Sequence, residues 1–130
     1  MKQTDTESDT TLERYSNTLI DFFKRMSSWE QSAVSDTGVS PAQMHFLEVI
    51  GNRGMVRMKE LAELLGVTTG TLTVMAHRME EKGYIFRSKD DQDKRSYFVE
   101  LSDKGDREYR RHHHMHHHLV EKVVEALGAE

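Results

Sequence analysis

Two stretches of the chain hold side chains whose types and spacing can do chemistry. The first, "RRHHHMHHHLVEKVVEAL", covers residues 110–127 and sets six histidines within seven positions. On a helix, His112 and His116 project from one face on adjacent turns. Zinc takes three or four ligands, and a His-x-x-x-His pair supplies two of them. The tract sits inside a helical pattern and leads directly into "LVEKVVEAL", which argues against an expression tag. His114, His117 and His118 fit a solvated helix face. The second stretch, "VTTGTLTVMAHRM" (67–79), carries Thr68, Thr69, Thr71 and Thr73 among small residues. Threonine is a middling helix former, so this density points to a task other than helix stability. Its hydroxyls can bond phosphates or base edges, and its methyls can meet thymine methyls.

These stretches need elements to hold them. From Leu12 to Trp29, apolar residues recur at mostly three and four positions, which predicts an amphipathic helix with a broad aromatic stripe. Residues 1–8 are polar and acidic and read as frayed. "SPAQMHFLEVIG" (40–51) predicts a second helix, with Ser40 as cap, Pro41 at its first position and Gln43 completing a capping box. Gly51 reads as its stop. "MKELAELLG" (58–66) predicts a third helix and residues 67–83 a fourth, capped by Thr68 and ended by Gly83. "YIFRS" (84–88) and "SYFVEL" (96–101) predict a hairpin with the charged tip "KDDQDKR" (89–95). Ser102 caps a last helix over 103–127, in which Tyr109, Leu119 and Val123 should face inward with His112 and His116.

The third and fourth helices read as one unit. Leu61, small Ala62, Leu65 and Gly66 at the turn, then Val67, Leu72 and Met75, are the order a helix-turn-helix requires. Its second helix should enter a major groove. Leu72, Met75, Ala76 and Met79 should face inward, leaving Thr69, Gly70, Thr73, Val74 and His77 outward, with Thr68 and Thr71 at the leading edge and Arg78 as a further candidate DNA contact. The hairpin then reads as a wing: Arg87, Lys94 and Arg95 are its candidate DNA contacts, Arg95 reaching a minor groove, with Asp93 orienting that arginine.

Composition bounds the rest. The chain has 130 residues, enough for one domain, and the expected class is mainly α with a small β hairpin. Net charge is −4, so nucleic-acid binding must come from a local patch. There is no cysteine, hence no disulfide and no thiolate metal site, and no apolar run long enough to span a membrane. A cytoplasmic location is expected. No nucleophile motif or phosphate-cradling loop is present, and His113, not a glutamate, follows His112, so an enzyme is not expected. The histidine tract alone would also suit a metal-buffering protein.

Helix, capped helix, helix-turn-helix, the wing "DQDKRS", "VELSDKG" and a long last helix together resemble the MarR family of bacterial transcriptional regulators over roughly residues 12–127. The resemblance implies a winged helix-turn-helix (40–101) flanked by dimerisation helices (9–34 and 103–127) within one domain spanning 1–130. It further implies a homodimer on a pseudo-palindromic double-stranded DNA site, as a repressor, with no membrane partner. It also implies a further C-terminal helix, and the sequence given ends at Glu130.

Two branches of the family are similar to this chain. Aligned through "LSDKG" and "AQMH", His112, His116 and His45 fall on ligand positions of the zinc-sensing AdcR and ZitR repressors, with Glu30 or Asp36 as a fourth ligand. That branch also uses a glutamate and a cysteine where this chain has Ser27 and Ala33. "QMHFLEVIG", "VTTGTLT" and "EEKGYI" look like the FabT branch, which represses fatty-acid synthesis genes and senses acyl-acyl carrier protein, and which shares those three histidines. A third family option is a phenolic or lipophilic ligand in a cleft lined by Met26, Trp29, Met44 and Phe46. Zinc, acyl carrier protein and a small molecule therefore stand as alternative effectors. Each would bind between the dimerisation and DNA-binding regions and change the spacing of the recognition helices.

Overall fold

The computed structural model describes residues 3–128. The chain divides into two compact units, Met1–Gly38 and Val39–Glu130. The first is one helix, α1 (Gln3–Val34). No glycine or proline interrupts it, so the helix runs back to Gln3 and the expected fraying at 3–8 is not found; residues 1 and 2 lie outside the described residues. Its apolar stripe is exposed: Leu12, Tyr15, Leu19, Phe22 and Phe23 each show more than half of their surface.

The second unit runs α2 (Pro41–Arg53), β1 (Met55–Arg57), α3 (Met58–Leu65), α4 (Thr69–Glu81), β2 (Ile85–Lys89), β3 (Tyr97–Leu101) and α5 (Asp103–Leu127). The capping box at α2 forms as expected: the Ser40 hydroxyl accepts the Gln43 N–H at 3.2 Å, and Gln43 Oε1 accepts the Ser40 N–H at 3.1 Å. Gly51 is not the helix stop. It lies inside α2, and a Cβ there would sit 2.5 Å from Tyr109 Cδ2, so glycine serves close approach of the Tyr109 ring. The helix ends at Arg53, and Gly54 takes the turn at φ 82°.

A third strand, β1, was not expected. It pairs antiparallel with β3, Val56 opposite Val99, and the sheet order is β1-β3-β2. Phe46, Leu47 and Ile50 from α2, Leu61 from α3, Leu72, Ala76 and Met79 from α4, and Val99 from β3 make the buried core. Met75 departs from its expected inward position and is half-buried. Gly66 holds the α3–α4 turn in the left-handed region at φ 65°. α5 leaves the sheet at Ser102, whose hydroxyl accepts the Gly105 N–H. Further along α5 the expected inward face opens to solvent, with Val123 43% exposed beside Val120 and Val124. No helix among the described residues is long and apolar enough to cross a membrane.

Candidate nucleic-acid interface

The α3–α4 turn presents the N-terminus of α4 to solvent. The Thr68 side chain caps α4 by accepting the Thr71 N–H at 3.1 Å, and it donates to Thr71 Oγ1 at 3.0 Å. Thr73 donates to the Thr69 carbonyl at 2.8 Å, so its donor must rotate away from the helix before it can reach anything else. Thr68, Thr69, Thr71, Thr73, Val74, His77 and Arg78 are all exposed, as expected. His77 Nε2 lies 3.4 Å from Glu81 Oε1, one turn on.

Arg78 shares a cleft of about 350 Å³ with Ser40, Gln43, Thr71, Val74 and Met75. The half-buried Met75 lines this cleft, where the sequence pattern placed it in the core. Lys82 Nζ donates to Gln43 Oε1 at 3.3 Å, tying the end of α4 to the start of α2. The cleft thus joins an arginine to the N-terminal end of α2, the positive end of that helix's dipole.

The wing separates its cations by role. Arg87 folds back onto the Glu80 carboxylate and lies 6.0 Å from the centre of the Tyr97 ring. It braces β2 against α4 instead of extending from the tip. Lys94 and Arg95 are exposed at the tip, and among the described residues neither has an ion-pair partner. Asp93 acts on Arg95 through the backbone: Asp93 Oδ1 accepts the Arg95 N–H at 3.1 Å, and the Asp93 carbonyl accepts the Ser96 N–H at 2.9 Å. These bonds hold the turn, and the Arg95 side chain is exposed.

Asp90 and Arg57 were not singled out in the sequence. Asp90 is 4% exposed. Its Oδ2 lies 2.9 Å from Arg57 Nη2, and its Oδ1 accepts the Gln92 N–H at 2.9 Å. The Arg57 guanidinium in turn lies over the Phe98 ring at 5.2 Å. A buried carboxylate needs such a partner. The pair locks the base of the wing to β1, the strand that periodicity could not reveal.

A second constellation lies between α2 and α5. Glu48 Oε1 is 3.3 Å from His112 Nε2 and 3.9 Å from His116 Nε2, and Glu48 Oε2 is 3.6 Å from His45 Nδ1. His45 and Glu48 share a face of α2 by i,i+3 spacing, and His112 and His116 share one of α5 by i,i+4, their ring centres 4.5 Å apart. His112 is almost wholly buried, whereas His45 stays exposed. The structure therefore gathers the three expected histidines around a carboxylate that was not expected. Glu30, Met26 and Trp29 stand on α1 in the first unit, half-buried, and Asp36 follows α1, exposed. Met44 and Phe46, expected to line an effector cleft, are fully buried. His112, His116 and the Glu48 carboxylate are donors of the kind that zinc accepts, and His45 lies against the other Glu48 oxygen. Nearby, burial and then the charge of Glu108 raise the Tyr84 phenol above its ordinary pKa of 10.0.

Comparison with known proteins places this geometry. The sequence model of the MarR family matches residues 39–97. Streptococcus pneumoniae FabT, solved in complex with DNA, superposes with a TM-score of 0.84 at 30% identity, covering 88% of this chain and 82% of that one. The transcriptional repressor MdtR of Bacillus subtilis is 31% identical over 84 residues, 65% of this chain and 54% of MdtR. The uncharacterized regulator YkoM of the same organism is 28% identical over 97 residues, 72% of this chain and 63% of YkoM. The chain thus spans just over half to just under two thirds of the length of these two curated relatives. MdtR and YkoM both carry the helix-turn-helix transcriptional-regulator description.

Proposed function

The chain belongs to the MarR family of winged-helix proteins, and on that premise we propose that it is a dimeric, sequence-specific DNA-binding transcriptional repressor. The observation that carries this reading is the exposed face of α4, Thr68 to Arg78, flanked by a wing tip with two unpaired cations. Small hydroxyl side chains and Arg78 enter a major groove, and Lys94 and Arg95 approach the adjacent minor groove. The dimer reading rests on apolar side chains left exposed on α1 and on the end of α5, which a second copy would cover. Two recognition helices related by a two-fold axis read an inverted repeat with half-site centres about 10 base pairs apart.

Selection from a random 30-base-pair duplex library tests the reading. An enriched inverted repeat, with affinity falling steeply as salt rises, is the expected result. A pool without an inverted repeat, or affinity indifferent to salt, overturns it.

The Glu48-centred cluster favours a metal as effector. His112 and His116 on α5, facing the Glu48 carboxylate on α2, would hold zinc, a Lewis acid that here would act as a cross-link between α2 and α5. An effector shifts a dimer only through unequal affinity for its two shapes, so zinc would act as a switch only where the α2–α5 spacing differs between them. Repeating the selected-duplex binding with zinc and with a chelator tests this. Equal affinity in both would remove metal from the switch.

A further inference from the structure

We infer that Arg57, at the start of α3, is a positioning residue for DNA recognition. Paired with Asp90, it fixes the wing tip relative to the helix-turn-helix and so sets which base pairs beside each half-site the wing can read. This rests on the DNA-binding reading and adds to it a specificity determinant that belongs neither to the α4 face nor to the wing.

Arg57 breaks a local rule. The residue before a helix is best a serine, threonine, asparagine or aspartate, whose side chain accepts an N–H of the first turn. α2, α4 and α5 follow the rule, with Ser40, Thr68 and Ser102 each accepting such an N–H. α3 does not. Arg57 holds its cap position with extended backbone, φ −72° and ψ 144°, and its side chain makes no capping bond to the helix. A cation there also meets the positive end of the helix dipole. Nothing in α3 favours arginine at this place, so the reason lies where the guanidinium goes.

It goes to the wing. The guanidinium lies over the Phe98 ring at 5.2 Å, and its Nη2 is 2.9 Å from Asp90 Oδ2. Asp90, 4% exposed, organises the tip. Its N–H donates to the Ser96 carbonyl at 3.1 Å, which closes the loop, and its Oδ1 accepts the Gln92 N–H at 2.9 Å. Lys94 and Arg95 lie inside that closed loop. On the opposite edge of the sheet, Arg87 of β2 pairs with Glu80 of α4. The wing is therefore tied to the helix-turn-helix twice, to the start of α3 by Arg57 and to the end of α4 by Arg87. A tip held before DNA arrives loses less freedom on binding than a free loop does. The offset between the base pairs met by α4 and the minor-groove step met by Arg95 is then a fixed length. That length becomes part of the sequence the protein selects.

Selection from a random duplex library with wild type and with Arg57→Ser/Asp90→Asn tests this. The double substitution removes both charges, so neither is left alone. Arg57→Ser gives α3 a hydroxyl cap, and Asp90→Asn keeps an acceptor for the Gln92 N–H. Circular dichroism should show a helix content and melting temperature close to wild type. Wild type should enrich an inverted repeat with an A·T-rich step at one fixed offset from each half-site core. The variant should enrich the same repeat with that step lost or scattered. Between duplexes that differ only in that step, A·T against G·C, discrimination should fall from about tenfold to about twofold. Arg57→Ser alone should show the same fall, which keeps the test open if the double variant folds poorly. Arg53→Ser/Glu60→Gln, which removes an exposed ion pair away from the wing, should keep the step. Equal discrimination in wild type and both Arg57 variants overturns the inference and leaves the DNA-binding reading standing. A wild-type repeat with no step at a fixed offset also overturns it. No inverted repeat in the wild-type pool overturns the DNA-binding reading itself.

Discussion

The outer face of α4 with its wing and the α2–α5 contact solve opposite electrostatic problems. On α4 the polar side chains are exposed and satisfied by their own helix, as Thr68 and Thr73 are, and the wing-tip cations are exposed with no ion-pair partner among the described residues. Such a surface costs little to maintain and gains most when a polyanion arrives and counterions leave. Between α2 and α5 the reverse holds. His112 is buried, Glu48 lies among three imidazoles, and the Tyr109 ring presses on Gly51. A buried polar group is costly unless held, so this contact is sensitive to what occupies it. On the proposed reading, the first region receives DNA and the second holds an effector.

Three substitutions would break or sharpen that contrast. The largest effect should come from Gly51→Val, which forces a branched side chain into the space of the Tyr109 ring. We expect a loss of about 2–4 kcal/mol in denaturant unfolding, because overpacking here separates α2 from α5. Stability within about 0.5 kcal/mol of wild type would show that the contact is loose. Next is Asp90→Asn, which leaves Arg57 without its carboxylate at the base of the wing. It should cost about 1–2 kcal/mol of stability and weaken DNA binding several-fold while leaving α4 intact. Full DNA affinity in this variant would detach wing geometry from binding. The smallest effect belongs to Tyr84→Phe. The raised phenol pKa means that the folded state holds its proton more tightly than the unfolded chain. Its contribution is complete below pH 10 and is lost as pH rises through the folded-state value. Tyr84→Phe should therefore flatten the alkaline fall in melting temperature and change little at neutral pH; an unaltered alkaline limb would contradict the burial argument.

Much of this arrangement was legible in the residues. The Ser40–Gln43 box, the Gly66 turn and the threonine-rich helix carry local chemistry, and local chemistry is what a sequence displays. The wing was legible because charged turn residues separate two β-branched runs. What escaped depends on distant partners. β1 has three residues and one buried side chain, Val56, too few for a period, and its identity comes from pairing with β3. Gly51 follows an apolar run as a stop signal would, and only the ring of Tyr109, far along the chain, gives its real reason. Asp90 looked like one of several tip carboxylates until Arg57 was placed beside it. Glu48 could have been found from its i,i+3 spacing to His45, but its closeness to His112 and His116 required the α2–α5 packing.

The most direct test of the account compares the salt dependence of binding to one selected duplex for wild type, Arg95→Ala and His116→Ala, all under chelator. If the α4 face and wing receive the DNA, Arg95→Ala loses about tenfold in affinity and its log–log salt slope falls by about one. His116→Ala, metal-free like the wild type, should keep both slope and affinity. An unchanged slope for Arg95→Ala, or a reduced one for His116→Ala, would contradict the assignment of the two regions.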